Sequence, residues 1–302
     1  MVKLPDGLDI DKVIDDLRIY SWEACDILIY YSQMLRDPKN KSNIIENRNN
    51  NDPVTLADLK VNELIISKIR DNYKNINWEI LSEENTKMDS NSCDLNSDWI
   101  WILDPLDGTK DFLQGTSNYA MHLALNYKKK PYLGVVLIPE KNELWISNGS
   151  KVWCENKNGN ISRASLLTNI VLKEMTIVTS KNHRNEVLKT LINCIKFKEI
   201  RVMGSIGCKI ASLLRGESDI YISLSLPGKS APKDWDFAAP AAILVAAGGA
   251  ITNLDNENLS FNQKNFEQGG IIIASSNKKT HPEICLQVKE IIDNYKIYPL
   301  IS

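Results

Sequence analysis

Between residues 100 and 112 the chain reads WILDPLDGTKDFL, an apolar run ending on two aspartates three positions apart, a glycine and a threonine. Pro105 biases Asp104 toward extended backbone, so the strand persists up to that carboxylate, and Gly108 permits a sharp turn. Thr109 can cap a short helix over residues 110–113, and the free amides at such a helix start attract anions. Carboxylates that seek a cation thus stand beside amides that seek an anion, and a metal ion bridged to phosphate satisfies both. Taken alone, the run also fits ordinary turn chemistry, since Asp, Pro and Gly are common turn residues.

Further acids sit at the ends of other apolar runs: Glu83 and Glu84 in LSEEN, Asp58 in VTLAD, Asp234 and Asp236 in KDWDFAAP. Two carboxylates about 4 Å apart repel by roughly 4 kcal/mol at an effective dielectric near 20. Acids from four elements can converge only with cations among them, and oxygen-only donors favour a hard ion, Mg2+ where phosphate completes the shell.

In these residues the chain resembles the inositol monophosphatase superfamily of Mg2+-dependent, lithium-sensitive phosphatases: PVTLAD, SEE, DPLDGT and WDFAAP followed by AAGG occur in the same order over nearly the whole length. ILDPLDGTKDFL, GSIGCKIASLLRGESDIY and GKSAPKDWDFAAPAAIL are most similar to the 3'(2'),5'-bisphosphate nucleotidases of the CysQ type, which remove the 3'-phosphate of adenosine 3',5'-bisphosphate (PAP). The resemblance implies that Glu83, Asp104, Asp107, Asp236 and the Leu106 carbonyl hold two or three Mg2+ ions. It implies that Thr109 and Asp58 orient and deprotonate the attacking water, with Glu84 behind them. The phosphate would lie among Glu83, Leu106, Asp107, Asp236 and the Gly108 and Thr109 amides, with His183, Ser205 and Lys209 on the substrate side. Ile206, Gly207 and Cys208 depart from the GSSLK usual in bisphosphate nucleotidases. Lys209 also reads as a solvated helix lysine, and Lys229 and Lys233 as surface lysines or as contacts to a remote phosphate. The same machinery could serve inositol monophosphate or fructose 1,6-bisphosphate, or the fold could bind phosphate without catalysis.

The elements that must position these residues follow from periodicity. Val13, Leu17, Tyr20, Ala24, Ile27, Leu28 and Tyr31 mark an amphipathic helix, and a second starts at Thr55 with Asp58 in its first turn. The Asn-rich stretch 36–53 reads as a mobile loop, with an active-site lid as the alternative. Strand-like runs at 78–81, 99–103, 121–127, 132–138 and 143–147, separated by turn signals, predict an antiparallel sheet. Beyond residue 165, strands at 175–180, 199–204, 219–223, 248–252 and 269–276 alternate with helices at 183–195, 206–215, 236–247 and 281–295. The expected class is α/β: an α+β half over 1–165 and an α/β half over 166–302, with the site between them. The resemblance implies a layered αβαβα sandwich.

Bulk properties narrow the partners. With 302 residues, 43% hydrophobic, 25% charged and a formal net charge of -2, the chain has ordinary globular composition and no basic field for nucleic acid or anionic membrane. Six scattered cysteines without a CxxC pair suit reduced, buried thiols and a cytoplasmic location. Acids interrupt the N-terminus where a signal peptide needs an apolar core, and residues 238–251 are too short, and broken by Pro240, to span a membrane. A small phosphate ester is the expected partner, with the chain a monomer or homodimer. Motifs for triphosphatase, zinc protease, serine hydrolase and dinucleotide chemistry are missing, and an EF-hand fails at its twelfth position. His122 reads as a packed, hydrogen-bonded residue, His281 as a helix start, and Trp99, Trp101 and Trp145 as core.

Overall fold

A computed structural model describes residues 4–5, 8–49, 52–88, 95–181 and 185–297. The N-terminal elements are α1 (Ile10–Met34), α2 (Lys41–Ile44), the hairpin β1 (Ile45–Asn49) and β2 (Asp52–Thr55), α3 (Leu56–Asn72), β3 (Glu79–Ser82), α4 (Glu83–Met88), β4 (Trp99–Asp107), α5 (Thr109–Leu113), β5 (Ala120–Tyr127), β6 (Lys130–Ile138), β7 (Glu143–Ser147), β8 (Val152–Glu155) and β9 (Ile161–Ser162). There follow β10 (Thr176–Ser180), α6 (Glu186–Ile195), β11 (Glu199–Met203), α7 (Ile206–Leu214), β12 (Ile220–Leu224), α8 (Asp234–Ala246), β13 (Ala250–Asn253), β14 (Ile271–Ser275) and α9 (His281–Tyr295).

Strand alternation sorts these elements into five layers. β4 is apolar at every position from Trp99 to Leu103 because both faces are covered. Trp101 and Leu103 pack with Val13, Leu17 and Val61 of α1 and α3, whereas Ile100 and Ile102 pack with Ile210 and Phe237 of α7 and α8. The second sheet divides likewise: Tyr221, Ile272 and Ala274 face α7 and α8, while Ile222 and Ile273 face Leu188, Ile192, Ile284 and Val288 of α6 and α9. The result is the αβαβα sandwich, with α7 and α8 between the sheets.

The large sheet runs β3-β4-β5-β6-β7-β8-β9 and the small one β11-β10-β12-β14-β13. β3 pairs parallel to β4, so the large sheet is not wholly antiparallel as expected; parallel pairing needs a crossover, and α4 follows β3 on that connection. In the small sheet β11, β10 and β12 are parallel and β14 antiparallel to both neighbours. The stretch 36–53 is also not a plain loop. A 3-10 turn, α2, β1 and the start of β2 occupy its described part, with buried Ile44 supplying an apolar anchor that its asparagines obscured.

α8 is apolar around its circumference, as a helix buried between two sheets must be. Its alanines let it approach β6 closely: a Cβ on Gly134 would lie 2.5 Å from Ala242 Cβ and 2.9 Å from the Ala239 carbonyl. Gly134→Ala is therefore expected to lower the unfolding free energy by about 1–3 kcal/mol, read as a shift of the urea midpoint. An unchanged midpoint would show that strand and helix are not in contact.

Candidate active site

Asp104 and Asp107 are three residues apart, which on a regular strand would send them to opposite faces. Opposite them on β5, however, stand His122 and Ala120, two residues apart, so β4 holds one extra residue between the aspartates. This bulge at Pro105-Leu106, where proline has no N–H to give the ladder, returns both carboxylates to the face that carries Ile100 and Ile102 and looks toward α8. α8 presents Asp236 from its first turn. One oxygen from each of Asp104, Asp107 and Asp236 falls within 4.8 Å of the others.

Each of these acids is held by backbone amides of its own turn or of a neighbouring helix. Asp104 Oδ1 accepts the Leu106 amide at 3.0 Å. Asp107 Oδ2 accepts the Ser205 hydroxyl at 2.6 Å, the Ile206 amide, and the Gly207 amide at 3.2 Å, so it sits on the N-terminus of α7. Asp236 Oδ2 accepts the Lys233 amide at 2.6 Å, closing the first turn of α8. Asp58 is the third residue of α3 and completes a capping box with Thr55: its Oδ2 takes the Thr55 amide at 2.8 Å and hydroxyl at 2.5 Å. The Thr109 hydroxyl donates to the Leu106 carbonyl at 3.1 Å and lies 3.5 Å from Asp58 Oδ1. Glu83, first residue of α4, accepts Lys87 Nζ at 2.7 Å. Glu84, beside it, is buried and adds to the negative field at Asp58.

Glycines allow these elements to meet. Gly108 has φ +93° and caps α5 in place of the expected Thr109, and a Cβ there would lie 2.9 Å from the Asn118 carbonyl and 3.3 Å from the Ser205 amide. A Cβ on Gly207 would lie 2.3 Å from His122 Nε2 and 2.8 Å from Val136 Cγ1, so only glycine lets α7 pack this closely on β5 and β6.

The cluster opens into a cleft of about 1900 Å³ lined from both sheets and from α7 and α8, including Glu83, Asp107, Thr109, Lys209, Tyr221 and Asp236. Burial raises the Asp104 carboxyl well above the ordinary carboxylate range, and the charges of Glu83, Asp107 and Asp236 raise it further. Asp236 is raised by burial and by Asp107 and Glu83. Asp58 is pushed up to about 8, by burial first and by Glu84 and Glu83 next, against the pull of Thr55. Buried oxygens that favour protons this strongly without a cation fit a hard divalent metal: the donors are all oxygen, they converge, and each is fixed from behind.

The other residues expected at the site fall variously. Lys209 is not a solvated helix lysine. It is buried, its Nζ donates to the Gly204 carbonyl and lies 5.2 Å from the Tyr221 ring centroid, and burial lowers its pKa against the pull of Asp107. Ser205 is buried with its hydroxyl on Asp107 rather than facing the cleft. Lys229 and Lys233 both line the cleft, with Lys233 Nζ bound to the Asn265 carbonyl and Glu267, each at 3.0 Å. His183 and Cys93 lie outside the described residues. His122 is buried as expected, with Nδ1 3.3 Å from the Trp235 carbonyl, but its Nε2 also lies 3.3 Å from Asp107 Oδ2, without hydrogen-bond geometry. The signal that places it there is register, since it pairs with Asp104 across the strands.

Comparison with known proteins agrees with this geometry. The profile of the inositol monophosphatase family matches residues 21–293, and the chain belongs to that family of phosphatases. The 3'(2'),5'-bisphosphate nucleotidase CysQ of Buchnera aphidicola is 30% identical over 213 residues, 70% of this chain and 75% of the relative. Inositol monophosphatase 2 of Solanum lycopersicum is 27% identical over 228 residues, 72% of this chain and 81% of that protein. In structure, the extragenic suppressor protein suhB of Bartonella henselae superposes with a TM-score of 0.72 at 22% identity, covering 92% of this chain and 99% of its own, a likeness of fold. Among the described residues no helix is long and apolar enough to cross a membrane.

The raised carboxyls have a consequence for the metal-free protein. Folded Asp58 keeps a proton that the unfolded chain has released, so stability falls as pH rises from the ordinary carboxylate range through about 8. The buried His281, lowered to about 4, acts in the opposite sense only below its ordinary pKa of 6.5. Lys209, lowered by burial, also opposes Asp58 below 10.5, so the Asp58 contribution is read against Asp58→Asn. Between pH 6.5 and 8 in EDTA the melting temperature of the wild type relative to that variant is expected to fall, and a relative rise would contradict the burial of Asp58.

Proposed function

We propose that this chain is a Mg2+-dependent phosphatase that removes the 3'-phosphate of adenosine 3',5'-bisphosphate, giving AMP and phosphate. The observation that carries the reading is the convergence of Asp104, Asp107 and Asp236 with Asp58 and Thr109 at the same site. Glu83, Asp104, Asp107, Asp236 and the Leu106 carbonyl would hold the ions, two or three in number. Bound there, Mg2+ supplies a more acidic water and neutralises charge on the phosphoryl and leaving oxygens.

The protein's own groups do the rest. The Thr109 hydroxyl proton, on the Leu106 carbonyl in the resting site, turns to Asp58 Oδ1 3.5 Å away; the hydroxyl lone pairs then accept a proton from the attacking water, and Asp58 takes the proton Thr109 passes on. Thr55 fixes Asp58 from behind, so the acceptor is oriented before substrate arrives. The Gly108 and Thr109 amides, at the start of α5, face the phosphoryl oxygens. The reaction consumes water and needs no covalent intermediate on the chain.

Two features support a substrate with a second phosphate. Lys110, Lys209 and Lys229 line the same cleft as the acids, and the Buchnera relative is a bisphosphate nucleotidase. The relative from Solanum favours a second reading, inositol monophosphate, on the same machinery. Phosphate release from PAP, inositol 1-phosphate and fructose 1,6-bisphosphate in Mg2+ separates the readings: PAP is expected to have the highest kcat/KM, and equal or lower turnover of PAP would remove the first. A phosphate-binding protein without catalysis has no need of the Thr109–Asp58 pair. Asp58→Asn is accordingly expected to lower kcat by about 10²–10⁴ while Mg2+ binding is retained, and unaltered turnover would refute the assigned role.

A further inference from the structure

Asp58, Asp104, Asp107 and Asp236 are each anchored through one oxygen by backbone amides. Glu83 differs. The partner on its Oε1 is the ammonium of Lys87, one turn on in α4, at 2.7 Å. Both side chains are largely withdrawn from solvent, 25% exposed for Lys87 and 17% for Glu83, and both line the cleft. A cation therefore already stands on the flank of a site whose function is to hold cations.

We propose that Lys87 is a resident counter-cation of the acid cluster: it neutralises Glu83 when metal is absent, and by the same charge it weakens the binding of divalent ions there. The inference rests on the reading of the cluster as a divalent-metal site. Two effects of opposite sign meet at Lys87, and magnitude decides between them. As an orienting partner for Glu83 it contributes what a partly exposed i,i+4 pair contributes, a factor of a few at most in binding. As a charge it opposes an incoming ion: an ammonium and a divalent ion about 5 Å apart repel by roughly tenfold in binding even at the dielectric of bulk water. Repulsion wins, so removing the charge tightens ion binding and destabilises the metal-free protein.

The test uses the full chain, stripped with EDTA, as wild type, Lys87→Met, Lys87→Gln and Lys87→Arg. Mg2+ binding is read by titration calorimetry and melting temperature with and without Mg2+. The two neutral variants are expected to bind Mg2+ roughly tenfold more tightly than wild type. They are also expected to melt lower than wild type in EDTA and to gain more from saturating Mg2+, while Lys87→Arg follows wild type in both measurements. Neutral variants that bind Mg2+ as wild type does, or more weakly, overturn the proposal and leave the metal reading standing. Absence of Mg2+ binding in every variant and in wild type overturns both.

Discussion

Like charges held close together in a buried place are the constraint on which the structure depends. Asp104, Asp107 and Asp236 bring oxygens within 4.8 Å of one another, a spacing at which each ionised pair repels by about 3–4 kcal/mol at an effective dielectric near 20. Desolvation adds to the cost of ionising them. The chain holds them there by giving each acid a fixed donor: an amide of its own turn for Asp104 and Asp236, and the N-terminus of α7 for Asp107. What remains is a set of converging carboxyl oxygens that favour protons when no cation is present, a donor set that fits a hard divalent ion.

The scaffold is arranged to make this possible. A bulge on β4 restores two aspartates to one face, α8 lies between the sheets with its first turn at the end of that strand, and α7 enters close enough to touch Asp107 because residue 207 is glycine. Burial of α7 and α8 between two sheets is therefore more than packing. It sets the distance between acids that come from opposite ends of the chain. Thr55 and Asp58 extend the same principle to the start of α3, where a capping box fixes the buried Asp58 carboxyl.

Much of this was legible in the residues. Apolar periodicity located the long helices and the strands of the two cores but not β1, β2, β8 and β9, because only burial on one face or both leaves a direct trace in side-chain type. The acids at strand and helix ends stood out because nothing in turn chemistry requires so many. Features set by long-range pairing were not legible. The parallel entry of β3, the hairpin within 45–55 and the bulge at Pro105 depend on which strand lies alongside, which local pattern does not encode. For the same reason Lys209 also read as a solvated lysine, and His122 gave no sign that its ring reaches Asp107.

The central claim is that metal is what reconciles these carboxylates. Crystals grown with Mn2+ in place of Mg2+ and measured for anomalous scattering test it most directly. The account predicts strong anomalous peaks among Asp104, Asp107 and Asp236, with carboxylate oxygens about 2.0–2.2 Å away, and a further peak or peaks reaching Glu83 and the Leu106 carbonyl. Carboxylates that point to separate places, with no scatterer among them at millimolar Mn2+, would contradict it.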